Sequence, residues 1–190
     1  MTQAPAVAPP GYTRTAVALH WTVAAIIVCA FSLGLVVSDL PFSPQKVKLV
    51  AYHKWLGITV LGLAALRVIW RLSHRPPPLP PMPPWQTFAA RLSHALMYTL
   101  IVTIPLAGWT FSSASGYPVV YLGLWQLPDL VPKNKLLAAS LIDIHATLAW
   151  LLFYLLLLHV AAALKHHFFD RDDTLRRMLR WRGAAREGTP

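Results

Sequence analysis

The chain has 190 residues, of which 56% are apolar or aromatic and only 13% are charged, with a mean hydropathy of +0.49. Soluble domains carry roughly 25% charged residues, so a water-soluble globule is excluded. The hydrophobicity excludes disorder, and the single cysteine, Cys29, excludes a disulfide scaffold. A net charge of +10 would suit nucleic acid. In so apolar a chain, basic residues belong instead to the flanks of membrane spans, and no nucleic-acid partner is expected.

A spanning helix needs about 20 mainly apolar residues. Four stretches meet that requirement: 16–37, 49–70, 88–111 and 136–164. The first has no charge; it starts too late and runs too long for a simple signal peptide and is read as retained. The second holds Lys54 near its start and Arg67 near its end, and the third holds Arg91 and an internal Pro105. A membrane helix tolerates such a proline. The fourth carries Asp143 near its start. Ser38–Lys48 reads as a short polar turn, Arg71–Trp85 as a Pro-rich, extended spacer, and Ser112–Lys135 as the longest loop. The basic tail from Lys165 is expected on the membrane surface. The expectation is an all-α, integral membrane four-helix bundle, with residues 1–190 forming a single membrane domain.

Four spans put both termini on one side. That side, with the Pro-rich linker, holds Arg14, Arg67, Arg71, Arg75, Arg91, Lys165, Arg171, Arg176, Arg177, Arg180, Arg182 and Arg186. The opposite side holds Lys46, Lys48, Lys54, Lys133 and Lys135. The positive-inside rule makes the termini cytoplasmic.

The chemistry lies in eight histidines. Ionisable residues inside spans are costly and point to function. His20 lies about one turn inside the cytoplasmic leaflet, and His53 about one turn inside the outer one. His145 and His159 share the fourth span; their 14-residue gap is nearly four turns and roughly 21 Å, so both face one side. Depth matches His20 with His159 and His53 with His145. Each pair can clamp a planar metal macrocycle, and two imidazoles on opposite faces of an iron porphyrin suit a bundle interior. A single membrane histidine is often only hydrogen-bonded to its neighbours, but four paired by depth are harder to dismiss. His94 lies near the depth of His20 and, on spacing alone, remains an alternative inner ligand. Zinc and copper are disfavoured by the lack of Cys-x-x-Cys or clustered carboxylates near these histidines. Without Cys-x-x-Cys-His, any haem is held non-covalently.

The chain resembles the bacterial cytochrome b561 family along nearly all its length. The resemblance is carried by Arg14 with Leu19-His20-Trp21, His53-Lys54-Trp55-Leu56-Gly57 and Arg67-Val68-Ile69-Trp70-Arg71-Leu72. It continues through His94-Ala95-Leu96-Met97-Tyr98, Pro105-Leu106-Ala107-Gly108-Trp109 and His145-Ala146-Thr147-Leu148-Ala149. It ends with His159 through Phe168 and Arg171-Asp172-Asp173-Thr174-Leu175. It implies a di-haem b protein of the bacterial inner membrane, with His20, His53, His145 and His159 as iron ligands and His94 not a ligand.

The resemblance further implies single-electron transfer between a periplasmic donor and a membrane quinone such as ubiquinone. Some members of the family act as superoxide oxidases. Lys46, Lys48 and Lys54 would steer an anion such as superoxide towards the outer haem; the plainer role for them is to anchor headgroups or pair with haem propionates. His166 or His167, just past His159, would suit a quinone site, although an interfacial cap is as fitting. Two other readings stay open: a haem-bearing membrane anchor of a larger oxidoreductase, and a partner of a periplasmic isoprenoid-binding protein.

Overall fold

The computed structural model describes residues 11–179. Arg180, Arg182 and Arg186, counted above on the cytoplasmic side, lie outside the described residues.

Four long helices form the fold: α1 (Arg14–Asp39), α2 (Pro44–Ser73), α3 (Pro84–Ser115) and α4 (Lys135–Phe168), followed by a short α5 (Thr174–Leu179). All four long helices have the length and hydropathy to cross a membrane. They run 26, 30, 32 and 34 residues, so at about 1.5 Å per residue each exceeds the roughly 30 Å hydrocarbon core. The surplus turns explain why each helix is longer than its apolar stretch. Local capping sets the ends. The Thr13 hydroxyl accepts from the Ala16 amide, the Ser43 hydroxyl from Lys46, and the Asn134 side chain from Leu137. Pro44 and Pro84 occupy first helical positions, where their missing N–H groups cost nothing.

These caps correct the expected connections. The polar turn is shorter than 38–48, because Pro44–Lys48 already belongs to α2. Likewise the Pro-rich linker is confined to 74–83 between helices, and α3 continues through Ser115 before its loop begins. Gly116 closes α3 in the left-handed region, with φ 77°. The loop that follows is folded. A hairpin pairs β1 (Val120–Tyr121) antiparallel with β2 (Trp125–Gln126), turning through Leu122 and Gly123, both at positive φ. Trp55 donates its indole N–H to Val120 O at 2.7 Å, and the Thr59 hydroxyl meets the Tyr121 hydroxyl at 2.9 Å. The hairpin is thereby pinned to α2. Ser112 donates to Tyr117 O, and Asn134 N to Ala114 O, closing the loop on the end of α3.

Packing follows chain order: α1 lies against α2, α2 against α3, and α3 against α4. Val23, Ile27, Val60, Ala64, Met97, Leu100, Ile101 and Leu152 make the shared core. Among the described residues, α4 approaches neither α1 nor α2 as closely. That leaves a seam between α4 and the α1–α2 pair. Phe31 of α1 crosses it, stacking on Phe153 at 4.9 Å and meeting Trp150 edge-on at 5.2 Å. At the end bearing the termini, α5 folds back over the bundle. Trp21 donates to Met178 O at 2.8 Å, and Arg177 to Pro78 O at 2.9 Å.

Gly116→Ala tests the loop closure. An added Cβ would sit at positive φ and meet Lys133 Cδ at 3.0 Å. The expected cost is about 1–2 kcal/mol, the usual penalty for a side chain in this conformation. A lowered unfolding midpoint in detergent, with the four helices intact by circular dichroism, is the expected result.

Candidate functional site

The seam holds the histidines at two levels. At the end away from the termini, the outer level, the rings of His53 (α2) and His145 (α4) face each other, with centres 6.0 Å apart and planes at 81°. At the inner level, His20 (α1) and His159 (α4) lie 6.3 Å apart at 66°, and His94 (α3) lies 5.5 Å from His159. The depth pairing read from spacing is therefore present in space. So is the ambiguity over His94, because His20 and His94 both border His159.

The outer rings sit in matching seats. His53 Nδ1 lies 3.0 Å from Ala30 O on α1, and His145 Nδ1 lies 2.9 Å from Ile104 O on α3. A carbonyl only accepts, so each Nδ1 carries the hydrogen and each Nε2 keeps its lone pair for a metal. Four residues beyond each carbonyl is a glycine under the ring. A Cβ on Gly34 would meet His53 Cε1 at 3.2 Å, and one on Gly108 would meet His145 Cε1 at 2.9 Å. Each seat is thus a carbonyl at one position and a missing side chain one turn on. A cavity of about 190 Å³ lies beside the two rings, lined by Phe31, Gly57, Ile104, Pro105 and Phe153 among others.

These residues fit a planar iron macrocycle. An imidazole nitrogen binds a first-row metal at about 2 Å, so two nitrogens on opposite faces of one ion stand roughly 4 Å apart and their ring centres about 6 Å apart. Both depth-matched pairs have that separation. At the inner level, His20 Nδ1 is buried without a hydrogen-bond partner, so the inner seat is held differently from the outer one.

Lys54 Nζ donates to Tyr117 O at 3.2 Å, and Lys46 Nζ to Leu40 O at 2.6 Å. Both anchor loops rather than projecting freely. Lys48 is exposed and lies over the Tyr52 ring at 5.9 Å. His166 is held by carboxylates, with Nδ1 2.7 Å from Asp172 and 3.0 Å from Asp170. Burial alone would raise the Asp172 carboxyl, but hydrogen bonds from the Thr174 side chain and amide, and from His166, outweigh it and hold it below the usual carboxylate range. It stays ionised at neutral pH and caps α5. His167 Nδ1 is buried without a partner. Gly34, Gly108 and Arg67 escaped the sequence reading as site residues. One signal marks them: each lies 14 residues from a seam histidine on its own helix, Gly34 from His20, Arg67 from His53 and Gly108 from His94. That is the spacing of His145 and His159.

Residues 11–181 match the family model for prokaryotic cytochrome b561. Cytochrome b561 homolog 2 of Escherichia coli (strain K12) is 36% identical over 173 residues, 90% of this chain and 92% of that protein. Cytochrome b561 homolog 1 of the same organism is 31% identical over 172 residues, covering 88% and 96%. Probable superoxide oxidase CybB of Yersinia pestis is 30% identical over 176 residues, covering 88% and 95%. The chain belongs to the prokaryotic cytochrome b561 family. It is a multi-pass protein of the bacterial inner membrane, of a haem b-binding family that carries out membrane electron transfer.

Gly108→Ala is expected to displace the His145 ring, because the new Cβ would crowd both Cε1 and Nδ1. The expected outcome is a lower haem absorbance per chain. Full haem content would show that the ring has room to shift.

Proposed function

We propose that His53 and His145 hold one haem b and His20 and His159 a second. The protein would pass single electrons across the membrane between a periplasmic donor and quinone. The single supporting observation is the seam itself, with two histidine pairs at ring-centre separations of 6.0 and 6.3 Å, each spanning helices that do not close on each other. His20 is preferred to His94 on the same ground. His94 sits on α3, which packs tightly against α4, whereas a flat macrocycle needs helices that stand apart. When bound, haem iron supplies a one-electron couple. The chain's residues supply the rest: the carbonyls of Ala30 and Ile104 fix the outer imidazoles, and the apolar cavity lining excludes water. The basic excess near the termini supports a cytoplasmic placement for them and for the inner pair. His166 and His167, two turns below His159, are proposed to border the quinone site, His166 with its Asp172 contact as a route for protons.

Haem extraction and quantification test the count. Two haems per fully loaded chain are expected; one would sink the two-level reading. His53→Ala or His145→Ala should remove one spectral species, and His20→Ala or His159→Ala the other. If His94→Ala instead matched His159→Ala, the inner pairing would pass to His94.

Superoxide is the proposed donor, supported by the name of the Yersinia relative and by the lysines at the start of α2. Lys46→Gln with Lys48→Gln should slow haem reduction by superoxide and flatten its salt dependence without changing haem content. The reason is that steering by the positive field of these lysines, Lys48 exposed and Lys46 half-buried against Leu40 O, fades once the Debye length falls to about 10 Å at 0.1 M salt. Stopped-flow reduction at several ionic strengths would measure this. An unchanged rate and salt slope would reduce these lysines to loop anchors.

A further inference from the structure

The 14-residue spacing puts Arg67 on the same face of α2 as His53, about 21 Å further along at the inner level. The surroundings agree. Arg67 is near enough to His20, His94 and His159 to act on all three electrostatically. Its guanidinium carbon lies 5.3 Å from the centre of the Tyr98 ring, and that of Arg71, one turn on, lies 5.8 Å from the same ring. Two like charges four residues apart on a helix repel. Among the described residues no carboxylate offsets either one, because the ion pairs there join Lys165, His166 and Arg176 to Asp170, Asp172 and Asp173. Arg71 is exposed at the helix end, where an arginine can reach headgroups. Arg67 is half-buried and turned into the seam, where an unpaired cation is costly. The site therefore calls for an anion that enters with the cofactor.

We infer that Arg67, with Arg71 beside it, binds the two propionate carboxylates of the haem held at the inner level. This rests on the two-haem reading. The match is in number and geometry: haem b carries two carboxylates at one edge, and two planar guanidinium groups suit carboxylates better than ammonium groups do. The Tyr98 ring steadies both cations by its π face. The consequence is a difference between levels. The outer level has Lys54 committed to backbone carbonyls, whereas the inner level has two cations beside the macrocycle. Positive charge favours the more negative, reduced form, so the pair raises the inner potential and draws electrons inward.

The test uses the purified holoprotein. It combines redox titration of each haem with infrared difference spectra of protein carrying haem 13C-labelled at the propionate carboxyls. The inner haem is the one absent in His20→Ala. Arg67→Gln should shift the labelled carboxylate bands and lower the inner midpoint by an amount equivalent to about tenfold in the one-electron equilibrium, about 59 mV, leaving the outer midpoint in place. Arg67→Lys should restore most of the potential but not the band positions, since the forked contact is lost. Should Arg67→Gln lose only the inner haem, anchoring is supported; Arg71→Gln should then show the same shifts at smaller size. Unmoved carboxylate bands, equal shifts of both haems, or loss of both haems together would overturn the inference. A wild-type ratio of one haem per chain would instead refute the two-haem reading, so the two failures are distinct.

Discussion

The arrangement depends on α4 packing against α3 while standing off from α1 and α2. In a bilayer, helices gain no hydrophobic drive from meeting each other, because lipid tails are as apolar as leucine. Close packing must come from shape, as where Gly108 of α3 leaves room for the His145 ring of α4. Along the seam, α4 does not close on α1 or α2 in this way. What crosses it are aromatic contacts, Phe31 with Phe153, and the paired imidazoles. A flat, rigid cofactor would complete such a seam where side chains alone leave it loosely filled.

The two levels are built from one period and differ in chemistry. Each long helix repeats a site position after 14 residues, so each has one stake in the outer level and one in the inner. At the outer level, α1 and α3 contribute the carbonyls and glycines that hold the His53 and His145 rings. At the inner level the same two helices contribute histidines, and α2 contributes an arginine where it offered a histidine before. The outer level is thus specified by hydrogen bonding and close contact, and the inner level by charge.

Much of this was legible in the sequence. Each apolar stretch lies within a helix, because no water is present in the bilayer core to satisfy an open backbone. Helical rise matched His53 with His145 and placed His159 at the level of His20, but it left His94 beside them, as the structure does. The helix ends were less legible. They depend on caps such as Ser43, Asn134 and Gly116, which act over three or four residues and leave no mark on an apolar average. The hairpin at Val120–Gln126 was hidden for another reason: its strands are two residues each, and its stability comes from Trp55 and Thr59, over 60 positions away. Gly34 and Gly108 look like ordinary small residues of membrane helices until the histidine ring above each is placed. Lys54 shows the opposite failure. Its charge was visible, but its engagement with Tyr117 was not, and that contact makes it a loop anchor.

The sequential packing of the helices also bears on biogenesis. The close contacts join α1 to α2, α2 to α3 and α3 to α4, all neighbours in the chain, so each helical hairpin can dock as soon as its second member leaves the translocon. The seam joins α4 to α1 and α2 and can form only once synthesis of α4 is complete. With haem held in the seam as proposed, its capture follows the insertion of α4. A cell short of haem would accumulate a chain that is fully inserted and largely folded yet open along one side, and that flank is where a quality-control protease could distinguish the apoprotein from the finished cytochrome.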